Sequence, residues 1–541
     1  MFGELRVIGA LIGSRLPQFL GVTRMRRVLA LLSAVLLVAP GAALAQASTE
    51  AAPVSELVER VDIPYERFTL DNGLTVVVHE DRKAPVVAVS IWYNVGSKDE
   101  PQGRTGFAHL FEHLMFAGSE NAPGSYFNSV RSMGATDLNG TTWFDRTNYF
   151  QTVPTPALEQ ALYLESDRMG HLLGEVSQER LDNQRGVVQN EKRQGDNQPY
   201  GLVYYQMLED LFPEGHPYRH STIGSMADLD AASMDDVRQW FTENYGPNNA
   251  VLVLAGDIDT ATARTLVERY FGHIPAGPEN VPAEAAVPTL DAPVSRVMHD
   301  RVANVRLYRA WAVPGMLDDD AVPLDVAASV LGGLASSRLD NELVRGDQTA
   351  VSVSTSMQPF HRVGMFNVVV NVKPGVDPDA VAERLDAIIA DFIANGPTAD
   401  EVQRVATNEV AGRICGLEQV GGFGGKAVAL AEGTLYADNP EFYRDQLEAF
   451  AAVTPEAVTA AMQRWLTRPV RRRTMSPPNA SRCRRSRRCR IWISLTSNGR
   501  RCRTASRWST PVQRPSRSRG SRWSSTRGCP PIRRTPWAPS T

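Results

Sequence analysis

Between Phe107 and Met115 the chain reads Phe-Ala-His-Leu-Phe-Glu-His-Leu-Met, and the spacing His109-x-x-Glu112-His113 constrains the fold more than any other stretch. Apolar residues at Phe107, Leu110, Phe111, Leu114 and Met115 follow the period of an amphipathic helix. On such a helix two histidines four apart lie about 40° from each other around the axis and one turn along it, so both imidazoles reach the same point. That spacing lets two ring nitrogens ligate one zinc ion at roughly 2.0–2.1 Å. Glu112 stands beside His113 on the rim of the same face, where its carboxylate can hold a metal-bound water without itself being a ligand. Packed into an apolar core instead, two imidazoles and a carboxylate would each need a polar partner. A metal ion supplies that partner.

A catalytic zinc site takes three protein ligands and keeps one position open, so the third ligand has to arrive from another element. Glu191 is preferred among the later acids. It lies on a helix expected over Gln178 to Gln194, where Val187 and Val188 supply a buried face. Glu165, Glu175 and Glu179 remain alternatives on spacing alone.

Around this helix the chain alternates strands and helices. Glu66 to His79 reads as a strand pair turning at Asp71-Asn72-Gly73, and Val86 to Val95 as a further strand. Gly134 to Val153 reads as an antiparallel pair, followed by helices over Pro156 to Leu173, Met234 to Tyr245 and Thr260 to Phe271, with a buried strand over Ala250 to Gly256. Residues 277–295 are rich in Pro and Ala without periodicity and read as a linker between a zinc-bearing domain (55–276) and a second, non-catalytic domain (296–470). The second domain repeats the mixture with strands at Val305 to Trp311, Val351 to Met357 and Met365 to Val372. Helices are expected over Val322 to Leu334, Pro378 to Asn395, Thr398 to Gly412 and Pro455 to Leu466. Two such units suggest an internal duplication.

The net charge of −3 averages two unlike pieces. From Arg471 onward there are about twenty Arg and no Lys, Asp or Glu, which leaves the rest of the chain acidic by roughly twenty-three charges. Nothing in that acidic body suggests nucleic acid. The segment 471–541 reads either as a basic arm for nucleic acid or an anionic membrane, or as sequence out of its natural frame. The second reading is favoured, because the bias toward Arg, Ser, Pro and Cys comes without a helical or strand period. Residues 1–45 read as an export signal behind an upstream extension from a start codon placed too early. Met25-Arg26-Arg27 is followed by an apolar run to Ala39 and a small-residue cleavage site at Ala43-Leu44-Ala45. The run is too short to span a bilayer, so a periplasmic or secreted protein with no transmembrane segment is expected. Cys415 is the one cysteine ahead of the Arg-rich segment, so no disulfide framework is expected.

The run Gly106-Phe-Ala-His109-Leu-Phe-Glu112-His113-Leu-Met-Phe116, then Arg185-Gly-Val-Val-Gln-Asn-Glu191, then His216-Pro-Tyr and Ile223-Gly224, resembles the pitrilysin/insulinase family of zinc peptidases. That family carries the inverted H-x-x-E-H motif and includes the mitochondrial processing peptidases; the resemblance covers residues 60–470. It implies an α+β fold of two similar domains, each a mostly antiparallel sheet packed with helices. It implies Zn2+ held by His109, His113 and Glu191, with Glu112 as general base of a metalloendopeptidase. It also implies a peptide substrate added as a strand along Leu138–Thr142, with Asn139, Gly140 and Thr141 in contact.

Two departures stand out. Gln184 replaces an acid common in the family seven positions before the third ligand. In the segment matching the family's substrate-clamping Arg and Tyr, Arg345 is present, but Val351 stands for the Tyr. The second domain is therefore not expected to complete a site, and a facing subunit or a missing second half is implied. The alternative is a non-catalytic binding or assembly subunit of a two-chain peptidase.

Overall fold

The computed structural model describes residues 53–281 and 283–477. The expected export signal and the Arg-rich segment beyond 477 lie outside them.

In the first half, α1 (Val54–Glu59) leads into the antiparallel pair β1 (Glu66–Thr69) and β2 (Thr75–Glu80) and then β3 (Val86–Tyr93). The histidine helix α2 (Phe107–Leu114) comes next, then the two-residue strands β4 (Gly118–Ser119) and β5 (Ala122–Pro123), α3 (Tyr126–Ser132), β6 (Thr136–Thr142) and β7 (Thr147–Pro154). Helices α4 (Leu158–His171), α5 (Gln178–Asp196), α6 (Val203–Leu211), α7 (Met226–Ala231) and α8 (Met234–Asn244) precede β8 (Ala250–Gly256) and α9 (Thr260–Phe271). The second half comprises β9 (Val294–His299), β10 (Arg306–Pro314), α10 (Ala321–Ala328), β11 (Ala350–Pro359), β12 (Val363–Val372), α11 (Pro378–Asn395), α12 (Ala399–Gly416), α13 (Lys426–Ala437), α14 (Phe442–Ala452), α15 (Pro455–Trp465) and β13 (Arg471–Ser476).

The two halves share one topology. The first sheet runs β1-β2-β8-β3-β7-β6 and the second β11-β12-β10-β13-β9. Read outward from β2 and from β9, the orders β2-β8-β3-β7-β6 and β9-β13-β10-β12-β11 are the same. In each, the first pair is parallel and the rest antiparallel. The duplication that the sequence only suggested is thus plain in the strand order. Where α2 carries two histidines and a glutamate, its counterpart α10 reads Ala-Val-Pro-Leu-Asp-Val-Ala-Ala and has no such set.

Both faces of the first sheet are covered at its centre, which is why β3 and β8 read as continuous apolar runs instead of alternating. Val76, Val78, Val89 and Ile91 pack under the helices of their own half. The opposite-face residues Val77, Ala88, Trp92 and Val251 join one core with helices of the second half. In return, Val203, Leu208 and Leu211 of α6 pack on Tyr308, Ala310 and Ala312 of the second sheet.

Three boundaries differ from the sequence reading. The second domain does not stop at 470: Arg471–Ser476 is a strand between β10 and β9, the counterpart of β8, although three arginines gave it no apolar signal. Asp210 pairs with Arg473 and Asp386 with Arg472, which lets those charges sit in a sheet. The linker ends earlier than 295, since β9 opens at Val294. Helix α1, placed with the zinc-bearing domain, packs against α12 and α14 of the second half. Among the described residues no helix is long and apolar enough to cross a membrane.

Candidate metal centre

Helix α2 is short, and its start is fixed by residues outside it. Glu100 accepts from the backbone N–H groups of Gly106 at 2.9 Å and Ala108 at 2.8 Å, satisfying donors that a helix N-terminus leaves free. Gly106 takes a φ of 90° there, and a side chain on it would meet the Ile223 carbonyl at 2.7 Å. The Ile223-Gly224 motif is therefore the seat on which α2 rests. Phe107, Leu110, Phe111 and Leu114 are buried, so the histidine face turns toward α5 and the edge strand β6.

His109, His113 and Glu191 meet at one point, their ligating atoms all within 4.8 Å of one another. The Glu191 Oε2 lies 3.8 Å from His109 Nε2 and 3.7 Å from His113 Nε2, beyond hydrogen-bonding distance. The imidazoles stand nearly perpendicular, at 87°, with centroids 4.8 Å apart. Glu165, one of the alternatives, is buried elsewhere in a pair with Arg168, and Glu175 pairs with Arg180. Glu179 is absent from the group.

The electrostatics suit a cation. Burial, and then the neighbouring His113, push the His109 pKa down to about 4. Burial also lowers that of His113, against the opposing pull of Glu191 and of the polar Gln184 side chain, which lines the same cavity. Both rings are therefore neutral at pH 7, the form that binds a metal. Two neutral imidazoles and a carboxylate aimed at one point, with no hydrogen bond among them, form a donor set that fits zinc.

Glu112 is buried beside them and accepts from the Thr142 hydroxyl at 2.7 Å. Burial raises its pKa to about 7, the Thr142 hydrogen bond and Arg146 working against the rise. Thr142 ends β6, the free edge of the first sheet, and Asn139 of the same strand lines the 590 Å³ cavity over the metal site together with Phe116 and Gln184. Gly140 packs on Phe116 and Tyr149. Thr141 turns to the opposite face, where it pairs with Asn148 at 2.6 Å.

Arg345 is not brought to this cavity. It lies on a π-helical turn, Asp340–Gly346, in an ion pair with Asp340 at 2.9 Å. Val351 is half exposed, at the irregularity between Ala350 and Ser352 of β11. The sequence reading named neither Thr142 as the partner of Glu112 nor Glu100 as the cap. An acid a few residues ahead of a helix is the signal that could have found Glu100.

Residues 75–224, which contain His109, Glu112, His113 and Glu191, match the family model described as Insulinase (Peptidase family M16). Residues 231–409 match the Peptidase M16 inactive domain. The zinc protease PqqE of Helicobacter pylori is 28% identical over 364 residues, covering 65% of this chain and 80% of that protein. Among solved structures, a protease from Helicobacter pylori superposes with a TM-score of 0.70 at 24% identity, covering 77% of this chain and 100% of the other. A peptidase M16 inactive domain from Pseudomonas fluorescens gives a TM-score of 0.66 at 17% identity, covering 77% and 98%.

Proposed function

The chain belongs to the pitrilysin/insulinase (peptidase M16) family, and from that premise we propose that it is a zinc-dependent endopeptidase acting on peptides or unfolded polypeptide segments. His109, His113 and Glu191 would hold the ion. Zinc in such a site supplies a Lewis acid that lowers the pKa of water to about 7 and polarises a carbonyl. Glu112 takes the proton of the attacking water on its carboxylate and returns it to the leaving amine nitrogen. The Thr142 hydroxyl fixes that carboxylate in place. A peptide adds as a further strand to β6 along Asn139, Gly140 and Thr141, so main-chain hydrogen bonds supply much of the affinity and broad sequences are accepted.

One observation carries this reading: three metal-ligating side chains converge within 4.8 Å beside a buried carboxylate that is tied to a free sheet edge. The test is zinc content and hydrolysis of an unstructured peptide by the chain alone, with and without chelator, for wild type and Glu112→Gln. The expected result is one zinc per chain in both proteins and chelator-sensitive hydrolysis in wild type only. Ordinary turnover by Glu112→Gln would remove the general-base role.

A second reading, a binding or assembly subunit of a two-chain peptidase, is favoured by Val351 in place of an aromatic clamp and by the Arg345–Asp340 pair. Zinc binding without hydrolysis, restored by adding a facing partner subunit, would select it. An export signal at 1–45 would place the protein in the periplasm or outside the cell, and a mature N-terminus near Gln46 is the result that supports this.

A further inference from the structure

A cleft of 940 Å³ separates β6 and β7 of the first sheet from helices α12, α13 and α14 of the second half, on the face of the sheet opposite His109, His113 and Glu191. Thr141 of the edge strand and Trp143 of the turn after it form one wall. Farther in, the sheet side carries the buried Trp92 of β3 and Phe150 of β7, and Phe423 meets Phe150 edge-on with centroids 5.0 Å apart, while α12, α13 and α14 bring Glu409, Arg413, Glu432 and Gln446. Phe423 comes from the loop joining α12 to α13. That loop lies so close to the sheet that a side chain at Gly421 would meet the Thr152 hydroxyl at 2.4 Å. Yet Phe423 is 68% exposed and Trp143 37%. Of the three exposed aromatic side chains among the described residues, two therefore line this cleft, and Tyr163 is the third.

Side chains of a strand alternate between the faces of its sheet. On β6, Gly140 packs on Phe116 and the Thr142 hydroxyl reaches Glu112, both on the side of the His109, His113 and Glu191 cluster, whereas Thr141 between them lines the cleft. The Arg146 guanidinium donates to the Thr141 carbonyl at 2.9 Å and lies over the Trp92 ring, 5.0 Å from its centroid. A peptide strand laid beside β6 follows the same alternation, so the residue alongside Thr141 points at the cleft and its two neighbours point toward the His109, His113 and Glu191 side.

We propose that this cleft is a side-chain subsite for the docked peptide, taking a large aromatic residue against Phe423 and Trp143. The proposal rests on the reading that a peptide adds to β6. Its occupant follows from the cleft's continuity with that edge and from aromatic surface left uncovered beside it. An aromatic residue buried there gains ring–ring contact beyond area burial, and a small residue leaves the cleft to water.

The test uses the full chain carrying Glu112→Gln, so that bound peptides are not consumed. The probes are unstructured fluorescent peptides of Ala, Ser and Lys, each with a single Phe at a successive position. Each peptide carrying one interior Phe is expected to bind about tenfold more tightly than the Phe-free parent, since a strand held by main-chain bonds can shift register to seat the ring. Phe423→Ala should abolish that gain and Phe423→Tyr should keep it. No gain over the Phe-free parent, or a gain unchanged by Phe423→Ala, would overturn the subsite while leaving edge-strand docking intact. Binding of none of the peptides would overturn the docking itself, and the subsite with it.

Discussion

Thr142, the last residue of the free edge strand, donates its hydroxyl to the carboxylate of Glu112 at 2.7 Å. The strand proposed to receive the peptide and the acid proposed to move the proton are thus one hydrogen bond apart. Any shift of β6 on docking is felt directly at Glu112.

Thr142→Val keeps the shape of the side chain and removes that bond. A hydrogen bond to a charged group contributes about 1.5–3 kcal/mol, so kcat is expected to fall by roughly tenfold to hundredfold. KM and zinc content should stay near wild type, because neither ligands nor strand edge change. Steady-state kinetics with metal analysis checks this, and an unaltered kcat would show the hydroxyl to be a bystander.

Glu191→Gln replaces the one anionic donor of the cluster by an amide. The loss in zinc affinity should exceed the about 10- to 100-fold that outer partners of a metal site contribute. A readout independent of activity is the melting temperature. Zinc at about a hundred times its Kd adds roughly 2.7 kcal/mol to wild type, and the same zinc concentration should give the variant a much smaller rise. Equal rises in both would remove Glu191 from the ligand set.

The two halves are also tied by charge, since Lys426 of α13 donates to Asp81 after β2 at 2.6 Å. Burial alone would raise the Asp81 pKa, but the hydrogen bonds from Lys426 and from the Lys83 backbone outweigh it and lower the value to about 2. A carboxylate whose folded pKa is depressed stabilises the protein fully above its unfolded value of about 3.9, and loses that contribution as pH falls through the folded value. Asp81→Asn should therefore lower stability by about 1–2 kcal/mol at pH 7, the shift being discounted for partial solvent screening. The gap to wild type should narrow steadily from pH 4 to pH 2. Melting temperatures across that range measure it, and a gap independent of pH would rule out the ionised pair as its source.

Local periodicity made His109, Glu112 and His113 legible, because a helical turn brings residues four apart together whatever the rest of the chain does. The edge strand and both sheets' apolar strands were legible for the same reason. Helices α13 and α14 were missed. Ala427, Leu430 and Ala431 of α13 and Leu447 and Phe450 of α14 are buried in the core shared by the halves, a setting that tertiary packing creates. Strand β13 was hidden further, since Arg-Arg-Arg-Thr-Met-Ser has no strand signature and gains its place from β10 and β9 on either side. Arg345 shows the converse: its segment was readable as a motif, but its pairing with Asp340 depends on a π-helical turn that no spacing announces.

Glu100 offers the last and most indirect test of the centre. Its two carboxylate oxygens hold the first N–H groups of α2, and His220 Nδ1 lies 3.4 Å from one of them. His109 and His113, the histidines proposed as ligands, both ride on this helix, so its entry angle sets where their rings point. Glu100→Ala leaves two buried donors unsatisfied, at a cost of about 1–3 kcal/mol for each. Melting temperature and zinc affinity should therefore fall together, although Glu100 lies outside the ligand set. Glu100→Gln retains one acceptor oxygen and should recover roughly half of both losses. If the alanine variant melts lower but binds zinc as tightly as wild type, the cap serves the fold alone and the histidine geometry is held by the packing of Leu110, Phe111 and Leu114.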